Sequence, residues 1–130
     1  MVTREDVESF LLRMELELDE VEKGMWVVRP TGGDGAGMVV HYSPPLVVLR
    51  TKVLDVPEDQ ERCTGLYRRL LELNATDLVH GAYGIEEGDI ILADSLELEN
   101  LDFNEFQASV DSMQLAVASH LESLSPFRNC

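Results

Sequence analysis

The chain has 130 residues, with 25 Asp and Glu against 10 Lys and Arg and a formal net charge of −15. It is sized for a single domain, residues 1–130, that buries its own core without covalent staples. The charge excludes a phosphate-backbone ligand, which needs clustered cations. Arg68–Arg69 is the densest basic pair, and acids flank it. The surface is therefore expected to be solvated and acidic, steering toward partners with basic residues, with no direct nucleic-acid contact.

The N-terminus, MVTREDVESF, is charged at once and carries no apolar leader core. No run approaches the ~18 apolar residues of a membrane span, so no membrane association is expected. Thr3 is placed to cap a first helix, with Glu5, Asp6 and Glu8 at its positive end and Val7, Phe10, Leu11 and Met14 at helical spacing. From Glu15 to Lys23 the period is lost: the stretch is acidic with alternating leucines, and no element is assigned to it. Met25–Arg29 reads as a short strand.

The segment RPTGGDGAGMVV, residues 29–40, raises the question of a phosphate loop. Such a loop needs a helix after its glycines, and a triphosphate loop needs Lys followed by Ser or Thr. Here a strand follows, no Lys or Arg lies between Arg29 and Arg50, and Asp34 would repel phosphate. Residues 31–37 are read as the tip of a hairpin. Gly37–Ser43 is the next strand. After Pro44–Pro45, Leu46–Leu54 is the longest, with Val47, Leu49, Thr51 and Val53 on one face and Leu46, Val48, Arg50, Lys52 and Leu54 on the other.

Asp55-Val-Pro-Glu58 has the form of a capping box and is expected to open a second helix, striped by Cys63, Leu66, Leu70 and Leu73 and ended by Asn74. Tyr67 and Leu71 widen the apolar arc to about 160°, more than one packed face requires. Leu78–Ile85 and Asp89–Leu96 are strands joined by a turn at Gly88. Asp102-Phe-Asn-Glu105 repeats the capping box, with Leu101 placed to staple onto Phe106. The last helix carries Phe106, Val110, Met113, Val117, Leu121 and Leu124, and Pro126 stops it. The resulting order, α-β-β-β-α-β-β-α, describes a two-layer α+β domain with three helices and a mainly antiparallel five-stranded sheet.

Chemistry-bearing residues are scattered. His41, His80 and His120 fall one per element, with no metal spacing among them, and are read as structural or surface residues. No nucleophile elbow or calcium loop is present. Cys63 and Cys130 are expected as free thiols in a reducing cytosol, and the sequon Asn74-Ala-Thr76 as a chance match. No catalytic, cofactor-binding or metal-binding residue is assigned. A small hydrolase would need an acid–His or Cys–His pair brought together in space. Surfaces are more informative. Trp26, Leu46 and Val48 are the expected partner-binding residues on the sheet, because three helices are too few to cover both of its faces. Tyr67 and Leu71 are the expected dimer contacts.

The stretches MWVV (25–28), VVHYSPPLVVLRTKV (39–53), LYRRLLELNA (66–75) and GAYGIEEGDIILADSLEL (81–98), with the helix from Asn104, carry a resemblance. Together with the order of elements they make Met1 to Leu124 similar to YbjN-like proteins, which share the fold of class I type III secretion chaperones. RLLELNA, GAYGI and GDIIL are the most distinctive segments. The resemblance implies a cytoplasmic, homodimeric, non-enzymatic protein without cofactor that holds a segment of another protein, with links to stress response and regulation. The long glycine loop departs from secretion chaperones, so the expected role is a chaperone-like adaptor. The alternative is a regulatory domain that senses a small ligand in a closed apolar pocket.

Overall fold

A computed structural model describes residues 1–30, 37–59, 61 and 63–127. The chain begins with α1, Arg4–Arg13. Its start is fixed by a reciprocal box: the Asp6 N–H donates to Thr3 Oγ1 and the Thr3 N–H donates to Asp6 Oδ2. Val7 and Leu11 are the buried face.

Four antiparallel strands follow: β1, Leu16–Glu22; β2, Met25–Pro30; β3, Met38–Ser43; and β4, Leu46–Asp55. The strand β1 corrects the sequence reading, which left this stretch unassigned and counted five strands. Asp and Glu are poor strand formers, yet Leu16 and Leu18 alternate and both pack on the core. As an edge strand β1 has its other positions open to water, and its charges discourage stray pairing. The observed sheet is six-stranded, in the order β1-β2-β3-β4-β6-β5. The hairpin-tip reading of residues 31–36 lies outside the described residues, although the strands on either side, β2 and β3, are antiparallel neighbours.

The Asp55–Glu58 box is not used. The strand β4 runs to Asp55, and α2 occupies Thr64–Thr76 with Cys63 at its N-cap. The cause is pairing: Asp55 lies opposite Asp89 in the sheet, so its backbone is committed to the ladder. A register shift between Lys52 and Leu54 also turns Leu54 into the core, correcting its assignment to the other face. Cys63 is buried and disulfide-bonded, not a free thiol; Cys130 lies outside the described residues. Asn74 does not end α2. It sits inside the helix, where its Nδ2 donates to the Tyr83 carbonyl and its Oδ1 accepts the Tyr83 N–H. One amide side chain thus imitates a neighbouring strand along the outer edge of β5, Ala82–Glu86.

The turn from β5 to β6, Asp89–Glu97, has positive φ at Glu87 and Gly88, the geometry of a tight hairpin. The last helix, α3, is Phe103–Leu124, and Asp102 caps it by accepting the Glu105 N–H at 2.8 Å. Its buried line is Phe106, Val110, Met113, His120 and Leu124. The expected stripe erred at Leu121, which is exposed, because the 4-3 rhythm from Val117 lands on His120.

The Asp102 cap faces solvent and touches no proposed contact surface. Asp102→Ala should lower the unfolding free energy by about 1 kcal/mol. A urea titration should show a lower midpoint with an unchanged slope.

Candidate partner-binding surface

Register pairs give the two faces of the sheet. On one face Leu18, Val28, Met38, Thr51, Leu92 and Tyr83 form a row across all six strands, and Trp26, Val40 and Leu49 form the next. These two rows line the core on the side where the helices pack. The other face carries Met25, Val27, Val39, Val48 and Leu46, all only partly buried, with Ile91 and Ala93 continuing the band onto β6. Arg50 bridges to Glu86 at 3.2 Å, and Lys52 to Asp55 at 2.7 Å and Asp89 at 3.3 Å, along one side of that band. Among the described residues this face is therefore apolar and partly open.

Leu46 and Val48 lie on this open face. Trp26 does not: it is fully buried in the core row, so its assignment as a partner contact is corrected. The alternation of β2 places Trp26 and Val28 inward and Met25 and Val27 outward, and sequence alone could not say which phase faces the helices. Met25, Val27 and Val39 are the surface residues this reading missed.

On α2, Leu71 is 67% exposed, while Tyr67 is packed partly against the core with its hydroxyl buried and unpartnered. Around Leu71 runs an open groove of about 680 Å³ lined by Thr64, Gly65, Arg68, Glu72 and Ala75. Leu71 thus presents apolar surface on the outer side of the helix.

Two arrangements resemble catalytic chemistry. The His120 imidazole is buried on α3 between the Tyr83 hydroxyl, 2.6 Å from Nδ1, and the Asp77 carboxylate at Nε2. Sequence reasoning read the histidines as unpaired. The pairing was invisible because Asp77 and Tyr83 lie about forty residues upstream of His120 in the chain. With Tyr83 donating to Nδ1 and Nε2–H donating to Asp77, every polar atom is satisfied, and the three groups pin α3 to the end of α2 and to β5. Tyr83 is the far end of the core row, not a group facing a cleft. Nearby, Ser109 Oγ donates to Asp94 Oδ2 at 2.6 Å while His80 Nδ1 lies 4.0 Å from the same oxygen. The hydroxyl is bonded to the acid and not to the imidazole, so no base is placed to activate it. Among the described residues no group of His, Cys, Asp and Glu is arranged to hold a metal ion. No helix among them is long and apolar enough to cross a membrane.

Electrostatics tie the free end of the sheet to α1. Arg4 donates to the Glu20 carboxylate, which also accepts the Gly24 N–H, and the Arg4 guanidinium lies 5.5 Å from the Trp26 ring. The hydrogen bond from Arg4, with that from Gly24, holds the Glu20 carboxyl below its ordinary range.

A family model described as CesT_Tir_1, a type III chaperone family, matches residues 1–129. No curated protein sequence matches the chain. Solved structures share its fold. A chain of the heterodimeric ExoU–SpcU complex from the type III secretion system of Pseudomonas aeruginosa superposes with a TM-score of 0.72 at 15% identity, covering 92% of this chain and 98% of that one. A chain of the ExsC–ExsE complex gives 0.64 at 14% identity, over 95% and 97% of the two chains. YbjN, described as a putative transcription regulator from E. coli, gives 0.68 at 13% identity, over 95% and 92%.

Burial, with a smaller contribution from the Asp77 charge, pushes the Tyr83 hydroxyl up from 10 to about 12. The unfolded chain releases this proton near pH 10 and the folded chain near 12, so the associated stability is complete below pH 10 and is lost as the pH rises between the two. Denaturation midpoints measured from pH 9 to 12 should fall over that interval, and Tyr83→Phe should remove part of the fall.

Proposed function

This chain belongs to the CesT_Tir_1 family of type III chaperones, and we propose that it works as a non-enzymatic, chaperone-like protein whose partner is a segment of another protein. The observation that carries the reading is the partly open apolar band of Met25, Val27, Val39, Val48 and Leu46, on the sheet face opposite the one that holds the core rows. Supporting it, solved structures of this fold include one described as a chaperone–effector complex. The net charge of −15 favours a partner segment with basic residues at its flanks.

We assign the open sheet face to the partner and the outer side of α2 to a second copy of the chain. Leu71 supplies the apolar centre of that second contact, and the small Ala75 beside it leaves room for another helix to approach. A cytoplasmic place of action and a role in stress response or regulation belong to the same proposal. The ligand-sensing alternative requires a closed apolar pocket. Among the described residues, the groove on α2 is open, and a cavity of about 470 Å³ is lined largely by polar and charged side chains.

Val48→Asp places a charge in the middle of the open face without touching the core. Affinity capture from the native cell lysate should recover a dominant partner with the wild-type chain. Recovery should be lower by about tenfold or more with the variant, and far-UV circular dichroism should be unchanged. Equal recovery would remove the sheet face from the binding surface. Leu71→Asp should convert a dimer into a monomer by light scattering at matched concentration, and a persisting dimer would refute the α2 contact.

A further inference from the structure

The apolar band on the sheet has one titratable group at its centre. His41 of β3 stands in register between Met25 of β2 and Val48 of β4. It is exposed, while Met38 and Val40 of the same strand are buried in the core rows. Its neighbours along β3 on the same face are Val39 and Ser43. The other two histidines each lie against a carboxylate, His80 against Asp94 and His120 against Asp77. His41 has no hydrogen bond or ion pair among the described residues. The cations beside it on β4 are already engaged, Arg50 with Glu86 and Lys52 with Asp55 and Asp89.

We propose that His41 is a further partner-binding residue, and that the open face takes up its segment while this imidazole is neutral and releases it when the ring is protonated. The inference rests on the partner-binding reading and adds the regulation of that same surface. Imidazole is the side chain that changes charge between about pH 5 and 8. A segment laid over Met25, His41 and Val48 withdraws water from the ring. The charged form loses far more by this than the neutral form, whose single N–H a carbonyl of the segment can accept. The bound state therefore holds fewer protons than the free state, and binding weakens as the pH falls. The surrounding charges do not reverse that sign. On the neighbouring rows of this face stand Asp19 and Glu22 of β1, Arg29 of β2, Arg50 of β4 and Glu97 of β6, with Lys23 in the turn before β2. The acid in the same row, Glu22, is two strands away, about 10 Å at the usual strand spacing, and is exposed to water. At that distance salt screens most of its attraction for a charged ring. Basic residues on the partner segment would repel that ring further.

The test uses Nile red, an uncharged dye that brightens on apolar surface, as the probe on the intact chain. Affinity is measured at pH 7.5 and 5.5, with far-UV circular dichroism at both. Val48→Asp should remove the dye at either pH, which locates it on the sheet face. Wild-type affinity should fall about tenfold from pH 7.5 to 5.5, the ratio for an imidazole that admits the probe only when neutral. His41→Leu should bind at least as tightly as wild type at pH 7.5 and lose most of the fall, with His80 and His120 still present to titrate. His41→Lys should bind weakly at both values, near the wild-type level at pH 5.5. A wild-type affinity that is level between the two values, or an equal fall in His41→Leu, would overturn the proposal and leave the partner-binding reading standing. Dye binding untouched by Val48→Asp would overturn both.

Discussion

One constraint organises this molecule: a six-stranded sheet has helices on one face only. The row Leu18-Val28-Met38-Thr51-Leu92-Tyr83 crosses every strand, and the row Glu20-Trp26-Val40-Leu49-Asp94 lies beside it. The second row is apolar in the middle and acidic at each end, and each acid is tied to a helix. Glu20 accepts from Arg4 of α1, and Asp94 accepts from Ser109 of α3. The far end of the first row is polar as well, where the Tyr83 hydroxyl meets His120 of α3. The helices are therefore attached at the margins of the sheet by hydrogen bonds and across its middle by packing. Thr51, the polar member within the first row, is satisfied by donating to the Gly37 carbonyl at 2.8 Å. With the inner face closed in this way, the outer face is left to whatever binds from outside.

This explains which parts of the fold could be read from the residues. Alternation identifies a strand, and the caps at Thr3 and Asp102 identify helix starts, because both signals are local. The box at Asp55 failed because the competing signal is not local: the backbone there pairs with β6, more than thirty residues away. The strand β1 was missed for a related reason. Its composition argues against a strand, and only the neighbouring β2 and the inward packing of Leu16 and Leu18 override it. The same limit applies to Trp26. A strand's two faces are distinguishable from sequence, but which one meets the helices is decided by the rest of the sheet. Leu46 and Val48 lay on the outward phase and Trp26 on the inward one, and their side chains are alike in being apolar.

The buried polar clusters carry a second lesson. Tyr83, His120 and Asp77 contain the groups of a proton relay, and Ser109, Asp94 and His80 contain the groups of a hydrolytic triad. Neither arrangement does that chemistry, and the reason is geometric. A relay needs an open position beside its terminal hydroxyl, and Tyr83 is closed in the core. A triad needs its hydroxyl bonded to the imidazole, and Ser109 is bonded to the carboxylate. Both clusters sit where a helix crosses the margin of the sheet. At such a place a long polar contact costs less than forcing apolar side chains to the solvent boundary.

A protein organised this way has its inside and its outside doing different work. The inner face fixes the shape by packing and by hydrogen bonds at its margins, with the Trp26 indole N–H and the Tyr67 hydroxyl buried without a hydrogen-bond partner among the described residues. Apolar groups left open lie on the outer surfaces: a band on the sheet and Leu71 on α2. Apolar area is silent about direction, since any apolar segment covers it. The band on the sheet and Leu71 on α2 lie on separate elements, so a charge introduced at one leaves the apolar area of the other unchanged.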